Sequence, residues 1–313
     1  MKKIYLLLTF LCIAMTGWGQ QESQFTNFMN NYLMLNPGYA GAREVPSITL
    51  LHRSQWMGFE GAPTSQILSF NSPFFNKSVG FGLSVFHRTA GITRTFSGTM
   101  AYSYNLKLTE DFSVRIGLQG SLRYLGIDFG SDKVILRDYT DPSASGANDA
   151  QQYTGNFGAG AFAMYKDFYL GVSVPAFLSN EIGFNSTTQV TAVEKPHYYL
   201  MAGGIFRMND KLRLRPSLLG KYVENAPLDL DVNLSVLFEN EVSVGLSYRT
   251  GGSGYGESID LLMFYQINRA LGLGLAYDFS MSKIARQQSG SFEALLRFDI
   301  INDRADLTNP RFF

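Results

Sequence analysis

Leu228-Asp229-Leu230-Asp231-Val232-Asn233-Leu234-Ser235-Val236-Leu237-Phe238 alternates apolar and polar side chains along most of its length. Successive side chains of a strand point to opposite faces. One face of this run is therefore Leu228, Leu230, Val232, Leu234, Val236 and Phe238, and the other is Asp229, Asp231, Asn233 and Ser235. Repeated carboxylates are costly in the dry core of a sandwich, so the polar face is expected to meet water. Lipid on the apolar side and an aqueous lumen on the other make this a strand of a transmembrane β-barrel.

The same period of two recurs outward from that run. Val79, Phe81, Leu83 and Val85 alternate with Gly80, Gly82 and Ser84. Val114, Ile116, Leu118, Leu122 and Tyr124 oppose Arg115, Gln119, Ser121 and Arg123, and Leu212, Leu214 and Leu218 oppose Lys211, Arg213, Arg215 and Ser217. Marking every such run predicts about fourteen strands, near 46–55, 64–71, 79–89, 92–108, 111–127, 154–165, 167–175, 195–208, 211–223, 228–239, 241–250, 257–267, 270–279 and 291–299. Lengths near ten suit tilted membrane strands. Tight polar turns (Thr109-Glu110-Asp111, Lys166-Asp167, Asn209-Asp210, Glu239-Asn240, Asn268-Arg269) follow even strands, and the long connections 128–153, 176–194, 251–256 and 280–290 follow odd ones. That sorting predicts short periplasmic turns, longer extracellular loops and both chain ends in the periplasm.

Composition agrees, with 31 Gly, 25 Phe and 17 Tyr in 313 residues and 17% charged residues. Lys2 and Lys3, the apolar run Ile4 to Met15 and the small residues up to Gly19 have the order of a secretory signal peptide over 1–19. Its removal takes away Cys12, the only cysteine, and excludes disulfides, a thiolate nucleophile and cysteine-bound metal. A charge balance close to zero argues against nucleic acid as a partner. The expected organisation is a leader at 1–19, a plug or lip at 20–45, a barrel at 46–299 and a periplasmic tail at 300–313.

Catalytic chemistry is hard to assemble. His52, His87 and His197 fall on three separate strands without acidic neighbours at ligand spacing, so metal, cofactor and enzymatic roles are not expected. Asp229 with Asp231 reads as solvated lumen wall in preference to a carboxylate pair. Arg213 with Arg215, and Arg115 with Arg123, read equally as a basic lumen stripe or as cross-strand ion pairs. Leu271-Gly272-Leu273-Gly274-Leu275 is strand and not a phosphate loop, because no helix follows and its glycines make room on one face.

The segment before the first strand stands apart. Phe25, Phe28, Met29, Tyr32, Leu33, Met34 and Leu35 are too apolar to remain solvated and too few to make their own core. They are expected to pack in the lumen, at the barrel mouth or on a partner. Asn36-Pro37-Gly38-Tyr39 is expected to turn the chain into the first strand, and Arg53, Trp56 and Phe59 to serve the same plug or partner-binding element, with Trp56 and Phe59 capping the outer end of the first hairpin.

Gln24-Phe25, Asn36-Pro37-Gly38-Tyr39-Ala40-Gly41, Arg53-Ser54-Gln55-Trp56 with Gly58-Phe59 and Gly61-Ala62-Pro63-Thr64, Val79 to Ser84, and the closing Pro310-Arg311-Phe312-Phe313 resemble the PorP/SprF family of type IX secretion outer-membrane proteins. These matches bracket the chain, while its central half resembles the family in strand pattern only. The resemblance implies an outer-membrane role with secreted proteins bearing a C-terminal type B sorting domain, delivered by the type IX translocon. It also implies periplasmic partners that are peptidoglycan-linked or belong to gliding motility. The alternatives are a FadL-like channel for hydrophobic substrates, which an apolar tunnel behind an N-terminal hatch would favour, and a general porin, which needs an open wet lumen.

Overall fold

The computed structural model describes residues 23–43, 45–128, 150–182, 192–251 and 256–301. The expected leader, nearly all of the tail from 300, and parts of the long loops lie outside the described residues. The strands are β1 (Ser47–Ser54), β2 (Thr64–Phe74), β3 (Val79–Ala90), β4 (Thr93–Lys107), β5 (Phe112–Ile127), β6 (Ala150–Tyr165) and β7 (Phe168–Val174). They continue with β8 (His197–Gly204, resumed at Phe206–Arg207), β9 (Leu212–Val223), β10 (Asp229–Phe238), β11 (Val242–Arg249), β12 (Ser258–Gln266), β13 (Leu271–Ser280) and β14 (Ser291–Asp299). Each pairs antiparallel with its sequence neighbour, and β1 pairs with β14 from Ser47↔Asp299 to Ser54↔Phe292. The sheet therefore closes as a barrel of fourteen strands.

Sequence alternation becomes the two faces of this wall. Leu50, Leu68, Leu118, Leu170, Leu200 and Leu246 stand exposed on the outside, while Thr49, Arg53, Ser69, Asn233 and Ser247 are buried on the inside. Exposed leucines around the whole circumference match a lipid-facing surface. No helix among the described residues is long and apolar enough to cross a membrane.

Two strand boundaries moved for visible reasons. Pro73 suggests a strand end near 71, yet the ladder continues to Phe74 with Gly80 opposite Pro73. The eighth strand is broken at Ile205, whose N–H donates instead to the carbonyl of Asp167 in the neighbouring turn. One rim carries the short turns, where Asn76, Lys77, Glu239 and Asn240 take left-handed φ of 49° to 66°, as tight hairpin connections require. On that rim Lys211 sits 2.6 Å from Glu239, a hydrogen bond that raises the lysine pKa. The opposite rim carries the longer connections, with the exception of the two residues Gly91-Ile92 between β3 and β4.

The wall is uneven in height. β5 and β6 have 16 residues each, whereas β7 has 7 and the main part of β8 has 8. Above them, toward the long-loop rim, the chain from Pro175 leaves the sheet, and a short ribbon pairs Asn180–Ile182 with Ala192–Glu194. Asn156 of β6 holds this segment through the N–H and carbonyl of Leu178, at 2.9 and 2.8 Å.

Sidedness is testable with single cysteines in a chain whose only native cysteine is Cys12. Glu224→Cys and Gln287→Cys, at the long-loop rim, should react with an impermeant maleimide on intact cells, and Asp210→Cys and Arg269→Cys should react only after the outer membrane is opened. Labelling of the second pair in intact cells would reverse the topology.

Candidate functional site

The lumen is occupied by the chain's own N-terminal segment. Residues 23–46 run from the long-loop half toward the short-turn rim, where β1 begins. Gln24 Nε2 donates to Asp229 near the outer ends of β9 and β10, and Gly41 N–H donates to Asn71 Oδ1 at 2.5 Å near the other end. The segment has no strand partner, so it satisfies its backbone in three single 3-10 turns, Phe28–Asn30, Tyr32–Met34 and Pro37–Tyr39. Their closing bonds include Leu35 N to Tyr32 O at 2.9 Å and Tyr39 N to Asn36 O at 3.0 Å.

Aromatic packing centres the plug. Tyr32 lies 5.4 to 6.1 Å, ring to ring, from Phe28, Tyr39, Phe162 and Tyr169, and its hydroxyl bonds that of Tyr169. Phe25, Phe28, Met29, Tyr32, Leu33 and Leu35 are all buried, as the sequence requires. Burying four such side chains is worth on the order of 6–12 kcal/mol before ordering costs.

The inward glycines of the wall form the seat. A Cβ on Gly117 would stand 2.3 Å from the Pro37 carbonyl carbon, one on Gly160 would be 2.2 Å from Asn36 Oδ1, and one on Gly80 would be 2.0 Å from the Ala40 oxygen. Asn36 locks this contact: its amide donates to the carbonyl of Ala161 at 3.0 Å, and its Oδ1 accepts from Gly38 N–H at 2.8 Å. Asn36-Pro37-Gly38 is thus a turn in mid-lumen. It does not deliver the chain into the first strand, which starts only at Ser47.

Charged side chains hold the other wall. Glu293 accepts the backbone N–H groups of Thr26 at 3.0 Å and Asn27 at 2.7 Å, and Arg53 reaches Glu293 at 3.2 Å and Asp278 at 2.5 Å. Thr26 Oγ1 also donates to Asp278 at 2.8 Å. Arg249 extends the network to Asp231 at 2.8 Å, Asp278 at 3.8 Å and Asp260 at 4.0 Å. Toward the short-turn rim, Arg43 pairs with Asp299 at 2.9 Å, and Arg115 donates to the carbonyl of Lys77 at 3.0 Å. Asp229 and Asp231 are consequently buried at 7% and 5% exposure, not solvated wall as expected. The inward face meets its counter-charges and the plug.

Phe25, Tyr32, Asn36, Pro37, Gly38, Tyr39 and Arg53 come together in this lumen. Trp56 and Phe59 do not. They lie in the loop between β1 and β2 at the long-loop rim, where Trp56 N–H donates to Ser291 Oγ at 3.1 Å and Phe59 is exposed. Arg249, Asp260, Asp278 and Glu293 went unnoticed in the sequence, although each lies on the polar alternate of its strand. His52 and His87 share Gln66 on the outer wall, and His197 is buried inside. No group of metal-binding side chains occurs among the described residues. Among the described residues the plug spans the lumen from Thr26, bonded to Glu293, to Gly41, bonded to Asn71.

The family model described as type IX secretion system membrane protein PorP/SprF matches residues 18–298. The chain belongs to the PorP/SprF family. It is an outer-membrane β-barrel of type IX secretion. No curated protein matches it. Among solved structures, the barrel is similar to the Ralstonia pickettii toluene transporter TbuX, with TM-score 0.50, 11% identity, 86% of this chain and 93% of that one covered. A TodX mutant, a monoaromatic hydrocarbon channel, gives TM-score 0.50 at 11% identity over 92% and 97% of the two chains. At such identities the likeness is one of fold.

Arg53→Met removes the guanidinium from Glu293 and leaves Asp278 only its longer pairing with Arg249, and should destabilise the barrel by roughly 3–5 kcal/mol. Thr26→Val, which removes the hydroxyl's bond to Asp278 and the one it accepts from Arg53, should cost about 1–3 kcal/mol. Urea unfolding of the barrel in vesicles, followed by the loss of its heat-modifiable gel migration, measures both. Gly117→Val should fail to fold with its plug seated, and protease access to residues 26–36 in the folded fraction reports this.

Proposed function

We propose that this chain is a non-enzymatic outer-membrane component that binds a secreted protein with a C-terminal type B sorting domain, and holds it at the surface or helps its export. The observation that carries the reading is the filled lumen. A plug fixed by buried ion pairs, an amide lock and a glycine seat makes the barrel a platform with two rims, so a polypeptide is handled at its ends and not threaded through its middle. Family membership supplies the secretion pathway, and the closed interior supplies the mode.

The two rims suit different partners. Long connections favour the surface-exposed cargo at the outer rim. The short-turn rim would meet type IX translocon components and peptidoglycan-linked or gliding-motility proteins in the periplasm. No cofactor enters this role.

Affinity purification of the tagged chain from its native outer membrane tests it. One secreted protein with a type B domain should co-purify in stable amount, and its surface level should fall at least tenfold in a strain lacking this chain. Unchanged surface display in that strain, or recovery of the barrel with no secreted protein, would sink the reading.

A further inference from the structure

Outward positions along most of the wall hold Leu, Val, Ile, Phe and Tyr. The outer halves of β1 to β3 do not. Their outward side chains are Ser54 and His52 on β1, Thr64 and Gln66 on β2, and His87 and Thr89 on β3, paired in register across the three strands. On either side of this patch the apolar surface resumes: Ala294 of β14 stands opposite His52, and Phe96 of β4 opposite His87.

The patch lies within the height of the lipid. Ser54 stands seven residues along its strand from Ser47 at the short-turn side, and His87 and Gln66 stand eight from Val79 and Phe74. At a rise near 3.4 Å and a tilt near 40°, that is about 20 Å above the short-turn rim, inside an apolar band about 25 Å tall. On the far wall, β10 carries Leu230 at the same eight residues from Phe238. Polar side chains at such a depth are costly to leave against lipid tails and call for partners.

Three hydrogen bonds join the patch into a relay with one direction. Gln66 Oε1 can only accept, so His87 Nδ1 donates to it at 2.8 Å. Gln66 Nε2 donates in turn to His52 Nδ1 at 3.2 Å. That bond places the His52 proton on Nε2, which donates to Ser54 Oγ at 3.0 Å. The relay therefore ends in unlike groups: a Ser54 hydroxyl proton to donate, and Nε2 of the neutral His87 ring to accept. Neither has a further hydrogen bond among the described residues.

These two ends stand at nearly equal height, on strands about 10 Å apart around the wall, with Gln66 between them. A two-fold axis along the membrane normal in front of Gln66 sets the donor end of one copy against the acceptor end of the other, and does so twice. Lipid tails offer neither group. We propose that the outer face of β1 to β3 is the contact between two copies of this chain in the membrane. Ser54 of each copy donates to Nε2 of the partner's His87, and Leu68 and Val85 pack against their counterparts below the relay. The inference concerns assembly of the barrel and is independent of the cargo it serves.

The test uses the full chain, with Cys12→Ser, in lipid vesicles. Leu68→Cys, next to Gln66 on the same face, should cross-link to a dimer with copper phenanthroline. Leu234→Cys on the far wall, as exposed as Leu68 at 51% against 49%, should not. Energy transfer between labelled copies, followed as lipid dilutes them, gives the dimer dissociation constant. His87→Leu removes the acceptor from both copies and should raise that constant about tenfold. Ser54→Ala should raise it similarly, and the double variant should be no weaker than either single, because both delete the same bond. Heat-modifiable migration verifies that each barrel is folded. A chain that stays monomeric at high protein-to-lipid ratio, equal cross-linking at Leu234→Cys, or additive losses in the double variant would each overturn the proposal. So would a monomer that retains outer-leaflet glycolipid and loses it on His87→Leu, an outcome that assigns the patch to a lipid headgroup.

Discussion

The carboxylate of Glu293, on the last strand, accepts the amide protons of Thr26 and Asn27 and faces Arg53 on the first strand. The rest of the interior depends on this contact. A closed barrel with a polar inner face must either fill with water or bring matching donors and acceptors inside, because an unpaired buried charge is costly. Here the chain supplies the matching groups itself. Backbone N–H groups from the plug satisfy a carboxylate that one guanidinium alone would leave half-served, and Arg249 spreads the remaining negative charge over Asp231, Asp278 and Asp260.

On the other side of the lumen the same segment is held by shape. Gly80, Gly117 and Gly160 present backbone where other strands present side chains, and Asn36, Pro37, Gly38 and Ala40 lie against them too closely for any Cβ. The two modes divide the work. Ion pairs on β10 to β14 and β1 tolerate small displacements but not loss of a partner, while the glycine seat on β3, β5 and β6 tolerates no added atom. Together they make the plug part of the core, with a cavity above it lined by apolar and hydroxyl side chains.

Alternation made the wall legible from sequence almost strand by strand, because facing is a local property: Leu230 and Asp231 point apart wherever the strand goes. What stands opposite a side chain is not local. Asp231 reads as solvated wall until Arg249, eighteen residues later, is placed beside it. Asn36-Pro37-Gly38 reads as a strand entry because its turn chemistry is visible, whereas its seat on Gly117 and Gly160 is visible only once the barrel closes. The burial of Phe25 to Leu35 was legible because it follows from composition. The rim position of Trp56 and Phe59 was legible too, because the aromatic, Gly/Pro-rich stretch between the first two strands can only be their outer connection. His197 reads as an isolated strand histidine, and its burial on the inner face, bonded to the Lys195 carbonyl, is visible only in the fold.

The register of the closing seam has a consequence for how the protein is made. Arg53 and Glu293 are direct neighbours across β1 and β14, and both bond Thr26. Thr26 and Asn27 are therefore sealed in by the last strand, through contacts spanning more than 260 positions. Such contacts are late and slow to form, because nearly the whole chain must be ordered before they exist. Zipping of the seam and docking of the plug are one cooperative step, which makes the native interior a checkpoint on biogenesis: a barrel that has closed correctly carries its stopper in place, and one that has not leaves both edges open to the assembly machinery.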